Sequence, residues 1–161
     1  MTDRIQQILY NEKYREHLTR IEVCEADRVF CHHDMAHFLD VARIAMILNQ
    51  KDGYGMDEEL IYAMALLHDI GRWQQYETGE DHAVVSSRMA PAILSECGFL
   101  DDEQKRIVSA IATHRQKEVA AQMDLNGLLY RADKLSRPCF FCKQEQNCNW
   151  KNDKKNRNLI W

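Results

Sequence analysis

The chain has 161 residues, 45% of them hydrophobic, with only 6 Gly and 2 Pro, which excludes a disordered tail or a repeat array and fits one compact domain. A chain of this size buries about two-thirds of its unfolded surface, so folding alone does not require its 6 Cys as cross-links. The formal net charge is −4 and is unevenly placed: Arg137, Lys143, Lys151, Lys154, Lys155 and Arg157 face only Glu145 and Asp153 after residue 136, so the body is acidic and the tail basic. An acidic body argues against broad capture of nucleic acid, and the tail reads as a solvated terminus with at most a secondary contact.

No stretch reaches the roughly 18 consecutive apolar residues of a membrane span, and Met1-Thr2-Asp3-Arg4 lacks the apolar core of a secretory signal, so a cytoplasmic protein with reduced thiols is expected. Helical spacing dominates and no alternating strand stands out. A polar-rich helix is predicted from Asp3 to about Leu18, with Ile5, Ile8 and Leu9 on its apolar side. The next runs from an N-cap at Asp34 to about Gln50, carrying Phe38, Val41, Ile44, Ala45 and Leu48. A third opens at Asp57-Glu58-Glu59 and stops at Gly71; Ala63-Met64-Ala65-Leu66-Leu67 is apolar all round, which makes this helix central. Others span about Asp81 to Cys97, interrupted or kinked at Pro91, then Asp101 to His114, and Leu125 to Ser136. The fold class is therefore all-α, with a helical domain over 1–136 and an irregular Cys-containing extension over 137–161.

Several ionisable side chains fall on apolar faces. His37 precedes Val41 by four and Ile44 by seven, His68-Asp69 directly follow the apolar run of the central helix, His114 follows Ile111 by three, and Asp133 follows Leu129 by four. A buried carboxylate is costly unless something neutralises it. One such histidine is ordinarily a hydrogen-bonded core residue; four helices each turning a His or Asp inward point to convergence on a divalent cation. Nitrogen and carboxylate donors without thiolate suit Mn, Fe, Co, Ni or Zn and disfavour Ca or an exclusively Mg site, although Mg is admissible as a partner ion.

Three strings carry a family resemblance: Asp34-Met35-Ala36-His37-Phe38-Leu39-Asp40-Val41-Ala42, Leu66-Leu67-His68-Asp69-Ile70-Gly71 and Tyr130-Arg131-Ala132-Asp133-Lys134-Leu135. Each falls on a predicted helix, and their order, over roughly residues 30 to 137, resembles the H…HD…D signature of the HD-domain superfamily of metal-dependent phosphohydrolases. The resemblance implies a single helical bundle of about five to seven helices. It also implies that His37, His68, Asp69 and Asp133 hold a first metal, and that Asp69 bridges to a second held by His82 and His114, as in the subset with two ions. Residue 113 is Thr where some members carry a His-His pair, and no Gly-Tyr-Pro motif is present, which separates the chain from the cyclic-dinucleotide phosphodiesterase branch. The single-His arrangement is similar to small stand-alone members, including HD-type diadenosine tetraphosphate hydrolases.

The implied chemistry is hydrolysis of a phosphate ester or anhydride, with a nucleotide or another small phosphorylated metabolite as substrate partner. Metal coordination can lower the pKa of water from about 16 toward 7. Asp69 serves as bridge or, with one ion, as the base that takes the proton of the attacking water. Arg72 and Lys134 adjoin the motif residues and are candidates to bind substrate charge and assist catalysis, the alternative being solvated helix ends. Trp73 and Tyr76 are candidates to stack on a nucleobase, against a plain packing role. His17, His32 and His33 have no comparable register and read as surface or local-structure residues, although His33 is near enough to approach the site.

Cys139-Phe140-Phe141-Cys142 and Cys148 form half of a structural zinc pattern, with Cys31 or Cys24 available as a fourth ligand, against the alternative of ordinary reduced thiols. Cys31 lies six residues before His37 and Cys139 six after Asp133, so if those ligands meet, both cysteines leave the core at neighbouring points. Cys97 reads as packing. Two readings compete with the hydrolase: a regulatory module that binds nucleotide or metal in the same pocket without turnover, and a thiolate metal or redox sensor in the tail.

Overall fold

The six expected helices become eight in the computed structural model of the protein, which describes residues 3–159: α1 (Asp3–Tyr10), α2 (Glu12–Cys24), α3 (Met35–Asp52), α4 (Glu58–Leu67), α5 (Arg72–Thr78), α6 (His82–Glu96), α7 (Asp101–Thr113) and α8 (Leu125–Leu135). Among the described residues there is no strand, and the chain is all-α. No helix of the described residues is long and apolar enough to cross a membrane.

Two departures raise the helix count. The first predicted helix breaks at Asn11, whose extended backbone (φ −64°, ψ 129°) and side-chain oxygen, accepting from the N–H of Tyr14, cap a new helix that runs on to Cys24. Asn competes for backbone hydrogen bonds in this way, and an apolar period cannot register it. The third predicted helix ends at Leu67 rather than Gly71, and His68 to Gly71 form a turn that leads into α5. Side chains on successive helical residues diverge by about 100°, so His68 and Asp69 reach one point only because the chain leaves the helix there. By contrast, α6 continues through Pro91 without interruption. Buried Ala90, Ile93 and Leu94 pack that part of α6 into the core and offset the missing backbone hydrogen bond.

As its sequence requires, α4 lies at the centre: Leu60, Ile61 and every residue from Ala63 to Leu67 are buried, and the helix packs on α1, α3, α7 and α8. α6 lies against α7 and α5, and α5 against α2. Arg4 ties α1 to this frame, donating from Nη1 to Glu103 Oε2 at 2.7 Å and from Nε to Glu59 Oε2 at 2.9 Å. The extension beyond α8 contains three short 3₁₀ turns, Cys139–Phe141, Glu145–Asn147 and Asn152–Lys154, and none of its residues from 138 to 159 is buried.

Gly71 sits where the turn after α4 meets α6. Its N–H donates to Ser86 Oγ at 2.9 Å, and a Cβ there would lie 2.6 Å from Val85 Cγ1 and 2.7 Å from the backbone N of Ser86. The absent side chain thus sets the approach of the His68-Asp69 turn to the helix that begins with His82. Gly71→Ala is expected to destabilise the fold by about 1–3 kcal/mol, the usual cost of overpacking; an unchanged urea midpoint would show that the two elements can separate freely.

Candidate metal centre

Helix ends place the inward-facing groups. Asp34 caps α3 by accepting from the N–H of His37 at 3.0 Å, which puts His37 in the first turn with its ring turned to the core. Asp81 caps α6 through the N–H of Ala83 at 2.8 Å, making His82 its first residue. At the ends of α4 and α7, His68 and His114 use the same device: each Nδ1 donates to the carbonyl three residues back, Ala65 and Ile111, at 2.7 Å. His37 Nδ1 is 3.3 Å from Ser136 Oγ, whose own hydrogen goes to the carbonyl of Asp133, and His82 Nδ1 is 2.6 Å from Gln75 Oε1. The Nδ1 atoms of His37, His68 and His114 thereby meet acceptors outside the site, the arrangement that frees Nε2 as a donor to a metal, whereas His82 Nδ1 lies between Gln75 Oε1 and the Arg72 guanidinium.

The freed nitrogens surround one carboxylate. His68 Nε2 lies 3.1 Å and His37 Nε2 3.6 Å from Asp69 Oδ2, while His82 Nε2 lies 3.1 Å and His114 Nε2 3.6 Å from Asp69 Oδ1. Asp133, in the last turn of α8, brings Oδ1 to 3.4 Å from His37 Nε2 and 3.7 Å from His68 Nε2. Three groups of donors, His37–His68–Asp69, His68–His114–Asp133 and Asp69–His82–His114, each fall within 4.8 Å of one another. All six sequence-expected ligands are therefore gathered at one point.

The electrostatics require positive charge there. Burial opposes ionisation of Asp69, yet the surrounding His68, His114 and His37 hold its carboxyl well below the usual range. Asp133 behaves likewise, burial being outweighed by Lys134 and by His37 and His68. Burial disfavours the imidazolium of His68, but the facing carboxylates of Asp69 and Asp133 push its pKa up to about 10, so in the protein alone a proton is drawn to the place between them. His68 Nε2 and Asp69 Oδ1 are nevertheless buried without a hydrogen-bond partner, a cost of about 1–3 kcal/mol each. A divalent cation satisfies both atoms and both carboxylates, and the nitrogen and oxygen donors fit a transition metal.

The centre opens into a cavity of about 1000 Å³. Arg72 and Lys134 line it: Arg72 Nη1 lies 2.9 Å from His82 Nδ1 and 3.1 Å from Gln75 Oε1, and Lys134 Nζ donates to Asp133 Oδ2 at 2.8 Å. The aromatic expectations are corrected. Trp73 is buried outside the cavity lining, its ring beside that of His17 with Nε1 donating to His17 Nδ1 at 3.1 Å and with the Arg20 guanidinium over its face, because the short α5 packs on α2. Tyr76 also lies outside the cavity lining and donates to Glu25 Oε1 at 2.7 Å.

That contact exposes two groups the sequence did not place. Glu25 is buried and accepts from the backbone N–H of His33 at 2.8 Å and from His33 Nδ1, which turns His33 Nε2 to 3.9 Å from Asp69 Oδ2. Burial lowers the His33 pKa to about 4, so the ring is neutral at physiological pH. Arg137, also buried, reaches His37 Nε2 at 3.3 Å from Nη2 and the carbonyl of His32 at 3.1 Å from Nη1. Neither residue sits in an apolar period, since both lie in loops next to the helices; the only sequence signal was proximity to His37 and to Asp133. His32 stays half-exposed, its ring against the carbonyl of Arg28.

Comparison with known proteins agrees with this geometry. Residues 35–137 match the HD domain family. The chain is 42% identical over 159 residues, 99% of each chain, to an uncharacterized protein of Clostridium beijerinckii. It is 31% identical over 107 residues to ribonuclease Y of Oleidesulfovibrio alaskensis and over 102 residues to that of Rubrobacter xylanophilus, spanning 18% of the length of each. A predicted HD superfamily hydrolase from an uncultured Thermotogales bacterium has the same fold, with a TM-score of 0.62 at 24% identity over 88% of this chain and 80% of that one. With three motif strings, six convergent donors and a family match over most of its length, the chain belongs to the HD domain family.

Proposed function

We propose that the protein is a metal-dependent hydrolase of a phosphate ester or anhydride in a nucleotide or another small phosphorylated metabolite. One observation carries the reading: the buried carboxylate of Asp69 offers Oδ2 to His37 and His68 and Oδ1 to His82 and His114, so each oxygen faces its own pair of ring nitrogens. His37, His68, Asp69 and Asp133 would hold one divalent ion, and Asp69, His82 and His114 a second, drawn from Mn, Fe, Co, Ni or Zn with Mg admissible beside them. Such ions, when bound, supply an acidified water and an electrophile for the phosphoryl oxygens.

The chain's own residues account for the rest of the chemistry. Arg72, held on the cavity wall by Gln75, binds phosphoryl charge as a planar fork. Lys134 offsets the second carboxylate and keeps Asp133 turned to the centre. Asp69 is placed to accept the proton of the attacking water where a single ion is present. The similarity to ribonuclease Y supports phosphoester chemistry, while a net charge of −4 favours a small substrate over a polyanion.

Added Mn²⁺ or Co²⁺ is expected to raise the melting temperature, by the equivalent of about 2.7 kcal/mol at a hundredfold excess over Kd, and His68→Ala is expected to abolish the rise; an equal rise in the variant would place the ion elsewhere. Phosphate release across a panel of nucleotides and dinucleoside polyphosphates with Mn²⁺ should fall to background in folded Asp69→Ala. Tight nucleotide binding with no release in the unaltered protein would instead identify a binding module. Arg72→Ala should lower kcat/KM by roughly 10- to 150-fold, the loss of a charged hydrogen bond worth about 1.5–3 kcal/mol, with metal content unchanged.

A further inference from the structure

The tail is ordered along a path that its own apolar groups cannot hold. From residue 138 to 159 nothing is buried, Phe141 is 87% exposed, and the three turns are single 3₁₀ turns closed by bonds such as Cys142 N–H to Cys139 O at 3.3 Å. Fixing such a segment costs backbone entropy in every residue, and the partial burial of Trp150 and the cysteines offers little hydrophobic gain against it. Its attachment is polar, Asn156 Nδ2 donating to the carbonyls of Lys134 and Arg137 at 2.8 and 2.7 Å, while Lys155 Nζ donates to Glu145 within the tail itself. Yet this tail forms a wall of the cavity above the metal centre, bringing Lys151 and Lys154 to its lining.

Four thiols gather on that wall. Cys139, Cys142 and Cys148 from the tail and Cys31 from the loop before α3 all line the cavity, all are half-buried, and all are free. Cys24 is exposed on α2 and Cys97 is buried in the core, and neither lines the cavity. Arg137, at the root of the tail, joins it to the loop by donating to the carbonyl of His32 at 3.1 Å, while Arg28 braces the loop itself by donating to the carbonyl of Cys31 at 2.8 Å. Burial first, and then the neighbouring thiols of Cys142, Cys139 and Cys148, raise the pKa of Cys31, with Arg137 opposing. Four sulfurs including a Cys-x₂-Cys pair would supply a closed tetrahedral ligand set, distinct from the nitrogen and oxygen donors beneath them.

We propose that Cys31, Cys139, Cys142 and Cys148 bind a structural zinc ion that clips the C-terminal extension to the loop before α3 and so fixes the wall of the catalytic cavity. Among the described residues, the groups of three or more donors within 4.8 Å of one another all belong to the His/Asp centre, so the four sulfurs must draw together on binding the ion. Binding releases the thiol protons, and the energy of coordination supplies the order that burial does not.

The test uses the full chain. Protein purified with zinc should release one equivalent as a mercurial thiol reagent modifies four cysteines, while zinc at the His/Asp centre stays resistant to that reagent. Substitution with Co²⁺ should give an intense thiolate-to-cobalt charge-transfer band in the near ultraviolet, present in His68→Ala and in Cys24→Ser and absent in Cys139→Ser/Cys142→Ser. Should the double variant fail to fold, the band and the mercurial titration of the unaltered protein still decide. No thiol-linked zinc, no charge-transfer band, iron in place of zinc, or an intramolecular disulfide with a mass loss of two hydrogens would each overturn the proposal.

Discussion

A carboxylate buried among imidazoles is the constraint around which the molecule is arranged. Asp69 is almost wholly removed from water, and both of its oxygens face ring nitrogens rather than peptide N–H groups. Burying such a charge is unfavourable unless positive charge and directed donors meet it. The fold answers by ending helices at one place: the start of α3, the end of α4, the start of α6, the end of α7 and the end of α8 all deliver a His or Asp there. Ends rather than middles are used because carbonyls of the last turn have acceptor capacity to spare, and those of Ala65 and Ile111 orient His68 and His114 at no cost in side chains.

The second tier of groups has the same logic. Ser136 and Glu25 each meet the Nδ1 of a histidine, Gln75 sits against that of His82, and Tyr76 in turn donates to Glu25. Aromatic residues after the HD pair thus act as supports for ligand orientation and as packing between α5 and α2. Neither of them lines the cavity, whose wall instead carries the charged groups Arg72 and Lys134 together with Lys151 and Lys154 of the tail. In an acidic body, these cavity-wall cations concentrate positive charge beside the site.

The all-α class, the central place of α4 and the six candidate ligands follow directly from the sequence. Apolar side chains recurring every three or four residues must share a buried face, and an ionisable residue in that register is buried with them. His37, His68, Asp69, His114 and Asp133 were legible for that reason, and His82 through its resemblance to the family pattern. Asn11, which ends α1 by capping α2, was not legible, because a cap acts through one local hydrogen bond that leaves the apolar period intact.

Tertiary structure alone decided which of the remaining candidates reach the centre. Periodicity reports the face of a helix and says nothing of a loop, so His33 and Arg137, both in connecting segments, became site neighbours only when Glu25 on the last turn beyond α2 and the carbonyl of His32 were brought against them. Trp73 was directed away from the cavity by the packing of α5 on α2, a pairing between segments separated by about 50 residues that no local pattern encodes. Local composition fixed what each helix buries; the angles at which helix ends meet fixed which charges share one point in space.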